Sequence, residues 1–242
     1  MLRRSYALIC YIVFLASFLY AIGFVGDVLV PKTIDAPVTR LGWRALLVDT
    51  LVLGLFAVQH SVMARPAFKR WWTRHVAASI ERSTYVLLSS VLLGLVFVAW
   101  RPLPALVWDA RGTWLAPLLL ALQAMGWLVV LLSTFMISHF ELFGLTQAWR
   151  SARAQSMQPE APFVERFFYR VVRHPIMLGF LIAFWATPAM SQGHLLFALL
   201  TSAYILVGVR LEEADLSAKI GRDYDDYRAR VPMLVPLPKR RA

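Results

Sequence analysis

The chain has 242 residues, 59% of them hydrophobic and 16% charged, with a formal net charge of +11. Charged residues make up about a quarter of an ordinary soluble domain, and a soluble fold of this length has too little interior to hide so much apolar surface. The excess requires lipid as its solvent. The positive charge does not indicate a nucleic-acid partner, because Lys and Arg fall in short connections between apolar runs, where they set membrane orientation.

A helix needs ~20 apolar residues to cross the hydrocarbon. The basic start, Met1 to Arg4, followed by apolar residues is leader-like, yet no small-x-small cleavage pattern precedes Asp27, so residues 6–25 read as a retained first helix. Cys10, the single cysteine, lies in this run. It can form no internal disulfide and, with no charge or base beside it, reads as a small apolar filler rather than a nucleophile. Further spans are expected at 45–64, 84–100 and 114–138. The last apolar region, 176–209, is too long for one helix and is broken near Ser191-Gln192-Gly193-His194, which makes it a hairpin with a short first arm. The expected fold is all-α: a polytopic transmembrane bundle of about six helices ending in a helical hairpin and an interfacial amphipathic tail. It forms one integral membrane unit, with helices one to four over 1–139 and a loop, the hairpin and the tail over 140–242.

The connections orient the bundle. Arg3 and Arg4 precede the first helix; Arg65, Lys69, Arg70, Arg74 and Arg82 lie between the second and third; Arg150, Arg153, Arg166, Arg170 and Arg173 lie between the fourth and fifth; Lys239, Arg240 and Arg241 end the chain. The connections 26–44 and 101–113 are balanced in charge, so both termini and both basic loops are expected in the cytoplasm. Trp43, Trp100, Trp108 and Trp114 then form an outer interfacial belt, and His75 and His194 are solvent or interface residues. The loop 140–173 is long enough to carry structure or a lid. In the polar tail 212–238, Leu216 and Ile220 stand four apart, as in a short amphipathic helix at the interface.

On this topology His60, the pair His139 and Glu141, the pair Arg173 and His174, and the pair Glu212 and Glu213 come from four helices but reach one side. Ionisable groups at membrane depth usually mark function, although helix ends also carry polar residues simply because they meet the interface. Arg173-His174-Pro175 places a proline in the first turn of a helix, whose free amides suit a carboxylate. The paired acids suit either the nearby arginines or a cationic, ribose-bearing ligand.

Taken together, Arg173-His174-Pro175-x-x-x-Gly179, Glu212-Glu213-x-x-Leu216 and Gly221-x-x-Tyr224-x-x-Tyr227 resemble the isoprenylcysteine carboxyl methyltransferase superfamily and the related phospholipid methyltransferases. The resemblance covers roughly 163–238. It implies that S-adenosylmethionine, the methyl donor, is held between the last hairpin and the tail. Arg173, His174, Pro175, Met177, Gly179, Glu212, Glu213 and Tyr224 are the implied cofactor-binding residues, Met177 standing where family members often carry tyrosine. Gln59-His60-Ser61-Val62-Met63-Ala64-Arg65, Trp71-Trp72, Glu81-Arg82-Ser83-Thr84-Tyr85 and Ser138-His139-Phe140-Glu141-Leu142-Phe143-Gly144-Leu145 extend the likeness over nearly the whole chain. They are similar to the bacterial methanethiol S-methyltransferase family, and also to NnrU-like proteins and a haem-holding carotene isomerase.

These resemblances imply an enzyme of the bacterial inner membrane whose active site faces the cytoplasm. It would methylate a small thiol, methanethiol, to dimethyl sulfide. The expected partners are the thiol and membrane lipid, with no nucleic acid and no obligate protein partner. A thiolate, not a thiol, is the nucleophile, so a base is sought. His139 is the first candidate, with Glu141 as its orienting partner, and His60 the second, with Ser61 or Gln59 hydrogen-bonding the sulfur. Two alternatives stand: a haem-binding isomerase or sensor, and a methyltransferase acting on a lipid or prenyl-cysteine. In the haem alternative His60, His139 and His174 are the candidate ligands for a metal or haem, and no H-x-x-x-H or cysteine-rich spacing supports a structural zinc site.

Overall fold

The computed structural model describes residues 1–37, 42–150 and 165–236. Arg153 and Lys239, Arg240 and Arg241, counted above toward orientation, lie outside the described residues. Ten α-helices and two short strands are described. In chain order these are α1 (Leu2–Gly26), α2 (Trp43–Ala64), α3 (Pro66–Trp72), α4 (Ala78–Ala99), β1 (Leu106–Asp109), α5 (Leu115–Ile137), α6 (His139–Leu142) and α7 (Leu145–Trp149). A 3-10 turn at Phe167–Arg170 follows, then α8 (Pro175–Trp185), β2 (Ala189–Ser191), α9 (Gln192–Ile220) and α10 (Arg222–Arg230). Five of these (α1, α2, α4, α5 and α9) are long and apolar enough to cross a membrane, and α8 is apolar but has 11 residues. The protein is an integral membrane protein built as a polytopic helical bundle.

The side chains are arranged for lipid. On α2, Leu51, Leu55, Val58 and Val62 recur at helical spacing and stay about half exposed, whereas Asp49 is fully buried. A water-soluble helix would reverse this pattern. Hydroxyls inside the spans turn back on their own helix: Ser90 Oγ donates to the Val86 carbonyl at 2.8 Å and Ser133 Oγ to the Val129 carbonyl at 2.6 Å. Each satisfies its donor without a partner helix.

The chain divides into two compact units, 1–109 with 139–158 and 189–200, and 110–138 with 159–188 and 201–242. In the first, α1 and α2 pack on α4, and α7 packs on α1 and α4. Its two strands pair antiparallel, with Trp108 opposite Met190. The connection after α1 folds back onto this unit. The Ile34 carbonyl accepts Trp100 Nε1 at 3.1 Å, Asp49 Oδ1 accepts the Arg101 amide at 2.8 Å, and Ser191 Oγ donates to Asp35. This corrects two expectations. Trp100 is fully buried and His194 is 1% exposed, so neither belongs to an interfacial surface, while Trp43 and Trp114 stay exposed as a belt requires.

In the second unit α5 and α8 meet at Gly126 and Gly179. A β-carbon on Gly126 would fall 2.6 Å from the Ala183 nitrogen, and one on Gly179 would fall 2.7 Å from the Gly126 carbonyl oxygen. Only glycine lets two backbones approach so closely, the usual device for holding helices together where lipid removes the hydrophobic drive. The hairpin breaks at 186–191, just before the expected Ser191–His194, of which Gln192, Gly193 and His194 begin α9, and its second arm is longer than expected. α9 runs unbroken through Glu212, Glu213, Leu216 and Ile220, so these residues end the spanning helix instead of forming a separate one. The sequence Glu212-Glu213-Ala214-Asp215-Leu216 through Lys219 contains good helix formers and no breaker. The helix stops at Gly221, whose φ of 72° and ψ of −136° are accessible essentially only to glycine. α10 follows at once, its Tyr224 and Tyr227 packed with Leu216 and Ile220 of α9.

Candidate active site

The C-terminal candidates belong to the second unit. Pro175 occupies the first position of α8, where its missing N–H is no loss. No side chain caps this helix. The Leu178 amide is bonded to the His174 carbonyl at 3.0 Å, so the amides of Ile176 and Met177 are left at the positive end without intrahelical acceptors. The returning tail lies alongside: the Arg173 and His174 amides donate to the carbonyls of Pro232 and Met233 at 2.9 and 3.2 Å.

Four side chains lock this arrangement. Glu213, 4% exposed, accepts Arg173 Nε at 2.7 Å and His174 Nε2 at 3.0 Å on one oxygen, and its other oxygen lies 3.5 Å from Arg228 Nε. Arg173 Nη1 donates to the carbonyls of Arg228 and Val231 at 2.9 and 2.6 Å. A buried charge is tolerated only when paired and hydrogen-bonded, and both conditions hold here. Glu212 is different. Its side chain is 48% exposed and stands 3.8 Å from His174 Nδ1. The two adjacent acids therefore divide: Glu213 holds the tail and the head of α8 together, and Glu212 presents a carboxylate outward.

Tyr224 and Tyr227, each 2% exposed, pack with Val231, Leu216 and Ile220. Tyr227 donates to the Tyr169 carbonyl at 2.6 Å. Burial, with the Glu213 charge added, pushes the Tyr224 phenol up to about 12, so it is a neutral group near pH 7. Burial also raises Tyr169 and Tyr227. Gly179 lies in the seam with Gly126, and Met177 is half-buried in the first turn of α8. Arg228 is not among the residues the sequence motifs single out. Its only signal is its position four residues after Tyr224 on the face of α10 that carries the buried tyrosines.

The remaining candidates belong to the first unit. Tyr11 OH is 2.8 Å from His139 Nε2, and His139, 7% exposed, lies edge-on to Phe143 at 4.9 Å. Burial pushes the His139 imidazole below its ordinary value. Glu141, the expected orienting partner, is exposed, and its carboxylate stands 4.0 Å from Arg150. His60 has Tyr85 OH at 2.8 Å from Nε2 and Ser89 Oγ at 3.2 Å from Nδ1. Gln59 Nε2 is bonded to the Met63 sulfur and to Ser89 Oγ, at 3.0 and 3.4 Å. Ser61 takes part through its carbonyl, which accepts Arg65 Nε at 3.3 Å. The cluster around Met63, Tyr85 and Val86 packs against Phe14 and Phe143, so the two histidines border one aromatic wall. Tyr85 and Ser89 stand four apart on α4, whose second half is apolar apart from Ser89 and Ser90, a legible sign of a polar stripe; nothing in the sequence marks Tyr11.

A polytopic bundle with a buried Arg–His–Glu lock at the head of its shortest apolar helix now meets its relatives. The chain matches the family described as NnrU protein over residues 48–214, and it belongs to that family. Within it, the chain is similar to methanethiol S-methyltransferase 2 of Bradyrhizobium diazoefficiens, 55% identical over 96% of this chain and 88% of that protein. It is equally similar to methanethiol S-methyltransferase of Mycobacterium tuberculosis, 55% identical over 97% of this chain and 96% of that one. A more distant relative is nurim of Rattus norvegicus, 31% identical over 74% of this chain and 75% of that protein. No solved structure matches.

Proposed function

We propose that this protein is a membrane methyltransferase that moves the methyl group of S-adenosylmethionine to a small thiol, with methanethiol as acceptor and dimethyl sulfide as product. The observation that carries the reading is the similarity to relatives named for this acceptor, at 46–55% identity over 96–97% of this chain. The head of α8 supports the donor. The Ile176 and Met177 amides suit the carboxylate of an amino-acid moiety, and the outward carboxylate of Glu212, half exposed beside His174, suits an ammonium or ribose hydroxyls. When bound, S-adenosylmethionine supplies a methyl carbon on a sulfonium sulfur, a leaving group that needs no proton.

The chain's own contribution falls on the acceptor and on position. An alkyl thiol is mostly protonated near neutral pH, its pKa lying at or above the ~8.5 of cysteine. It loses its proton to a base, its sulfur bonds the methyl carbon, and the electron pair of the broken bond stays with the departing thioether. His139, kept neutral by burial, is the first candidate base, and His60 the second; a positioned base contributes about 10²–10⁴-fold. Glu141 remains the candidate for orienting His139, and Ser61 or Gln59 the candidate hydrogen-bond partner of the thiol sulfur. Arg173, His174, Pro175, Met177, Gly179, Glu213 and Tyr224 build or line the donor site. Both termini and the active site face the cytoplasm of a bacterial inner membrane in this reading, where the donor is available.

Incubating the purified protein with S-adenosylmethionine and methanethiol tests the proposal. Dimethyl sulfide is expected in the headspace, with sharply reduced formation in Glu212→Gln. Absence of saturable S-adenosylmethionine binding by calorimetry overturns it.

A further inference from the structure

A further feature of the first unit borders the candidate base, where Phe140 lies edge-on to His139 at 5.3 Å. An open groove of about 530 Å³ beside the start of α1 is lined by Leu8, Phe140, Leu145, Thr146, Trp149 and Arg150. Leu8, Phe140 and Trp149 are 47%, 53% and 47% exposed, so the trough is apolar and open outward. One end is basic. Arg4 holds its guanidinium 5.9 Å from the centre of the Trp149 ring, and Arg150 lines the groove itself. Arg82 donates to the neighbouring Leu142 carbonyl at 2.7 Å. Against these three cations the described residues 139–150 set one acid, Glu141, 4.0 Å from Arg150, and Glu81 precedes Arg82 on α4. Leu8 follows Arg4 by four residues of helix, which is about 6 Å along the α1 axis. Charge and grease are thus stacked in the order in which a membrane boundary presents them.

We infer that this groove binds an anionic phospholipid, with an acyl chain along Leu8, Phe140 and Trp149 and the phosphate against Arg4 and Arg150. The volume suits a chain-sized ligand, since small-molecule sites span roughly 300–1,000 Å³. A free phosphate would match the arginines and leave the trough bare. A zwitterionic lipid would fill the trough but bring a cation to a cationic rim. A second copy of the chain related by a two-fold axis would set arginine against arginine. The inference does not depend on the methyl-transfer reading.

Native mass spectrometry tests it. The full chain is reconstituted in nanodiscs of equal phosphatidylglycerol and phosphatidylcholine, then released in mild detergent. The expected result is retained phosphatidylglycerol in preference to phosphatidylcholine. Arg4→Gln and Arg150→Gln should each lower that retention about fivefold, and Trp149→Ala should lower retention of both lipids. Each variant's thermal melt checks its fold. Equal retention of the two lipids, undiminished phosphatidylglycerol in the double arginine variant, an inorganic phosphate adduct that forms as readily without lipid, or a lipid-free dimer would each overturn the inference.

Discussion

Adjacent glutamates on α9 have opposite fates. Glu213 turns inward to Arg173 and His174, while Glu212 remains half exposed. Glu213→Gln leaves a buried guanidinium without its counter-charge, which costs about 3 kcal/mol, so the unfolding temperature in detergent should drop clearly. Glu212→Gln should leave that temperature alone and weaken S-adenosylmethionine binding by calorimetry. The sequence offered both acids as ligands without separating them, because neighbours on a helix differ only in which way they face and the face is decided by partners 40 and 39 residues back in the chain. A second prediction concerns His139. Its folded pKa is depressed by burial, so the neutral, proton-accepting form persists as pH falls through the ordinary imidazole range near 6.5. If His139 is the base, the acid limb of kcat/KM should lie below that range in wild type and vanish in His139→Gln. Its hydrogen bond to Tyr11 had no mark in the sequence, since a tyrosine in an apolar helix is as ordinary as a leucine until its partner is known.

Helices were legible at the level of elements because lipid demands long apolar runs, and the hairpin break was placed a few residues late, because Gln192, Gly193 and His194 are polar or small yet helical. The length of α9 was missed for a local reason: charge ended the expected span, but charge does not end a helix. Glycine does, at Gly221. The contact of Gly126 with Gly179 had no readable signal, because a small residue declares itself only when another backbone presses on it. Gly126→Ala and Gly179→Ala each force a methyl group against backbone, so each should destabilise the protein by about 1–3 kcal/mol in a detergent unfolding assay. Gly208→Ala, in the interior of α9 with nothing within 4 Å of the new methyl, should be neutral or slightly stabilising. Equal effects at all three positions would contradict the seam.

For the whole molecule, composition alone required lipid, and the outward stripe of α2 with Asp49 turned inward satisfies that requirement. What composition could not reveal is that the connection after α1 folds back to cover Trp100 and receive Ser191. Those contacts join residues 66 and 156 positions apart, and no periodicity reports them. The family likeness supplied the acceptor; no single residue's chemistry demands it.

The shortness of α8 has a further consequence, for how the protein is made. Eleven residues of helix rise about 16 Å, roughly half of a ~30 Å hydrocarbon layer. A translocation machine that weighs each emerging segment by itself has little reason to admit this one. It must enter as cargo of its neighbours: α5, already inserted and grooved to receive it at Gly126, and α9, still on the ribosome. A cysteine placed at Ile182, with Cys10 changed to serine, should react with a membrane-impermeant maleimide in a chain truncated after Pro188 and released from the ribosome. It should be shielded once the ribosome has released α9, and equal shielding at both lengths would show that α8 inserts unaided.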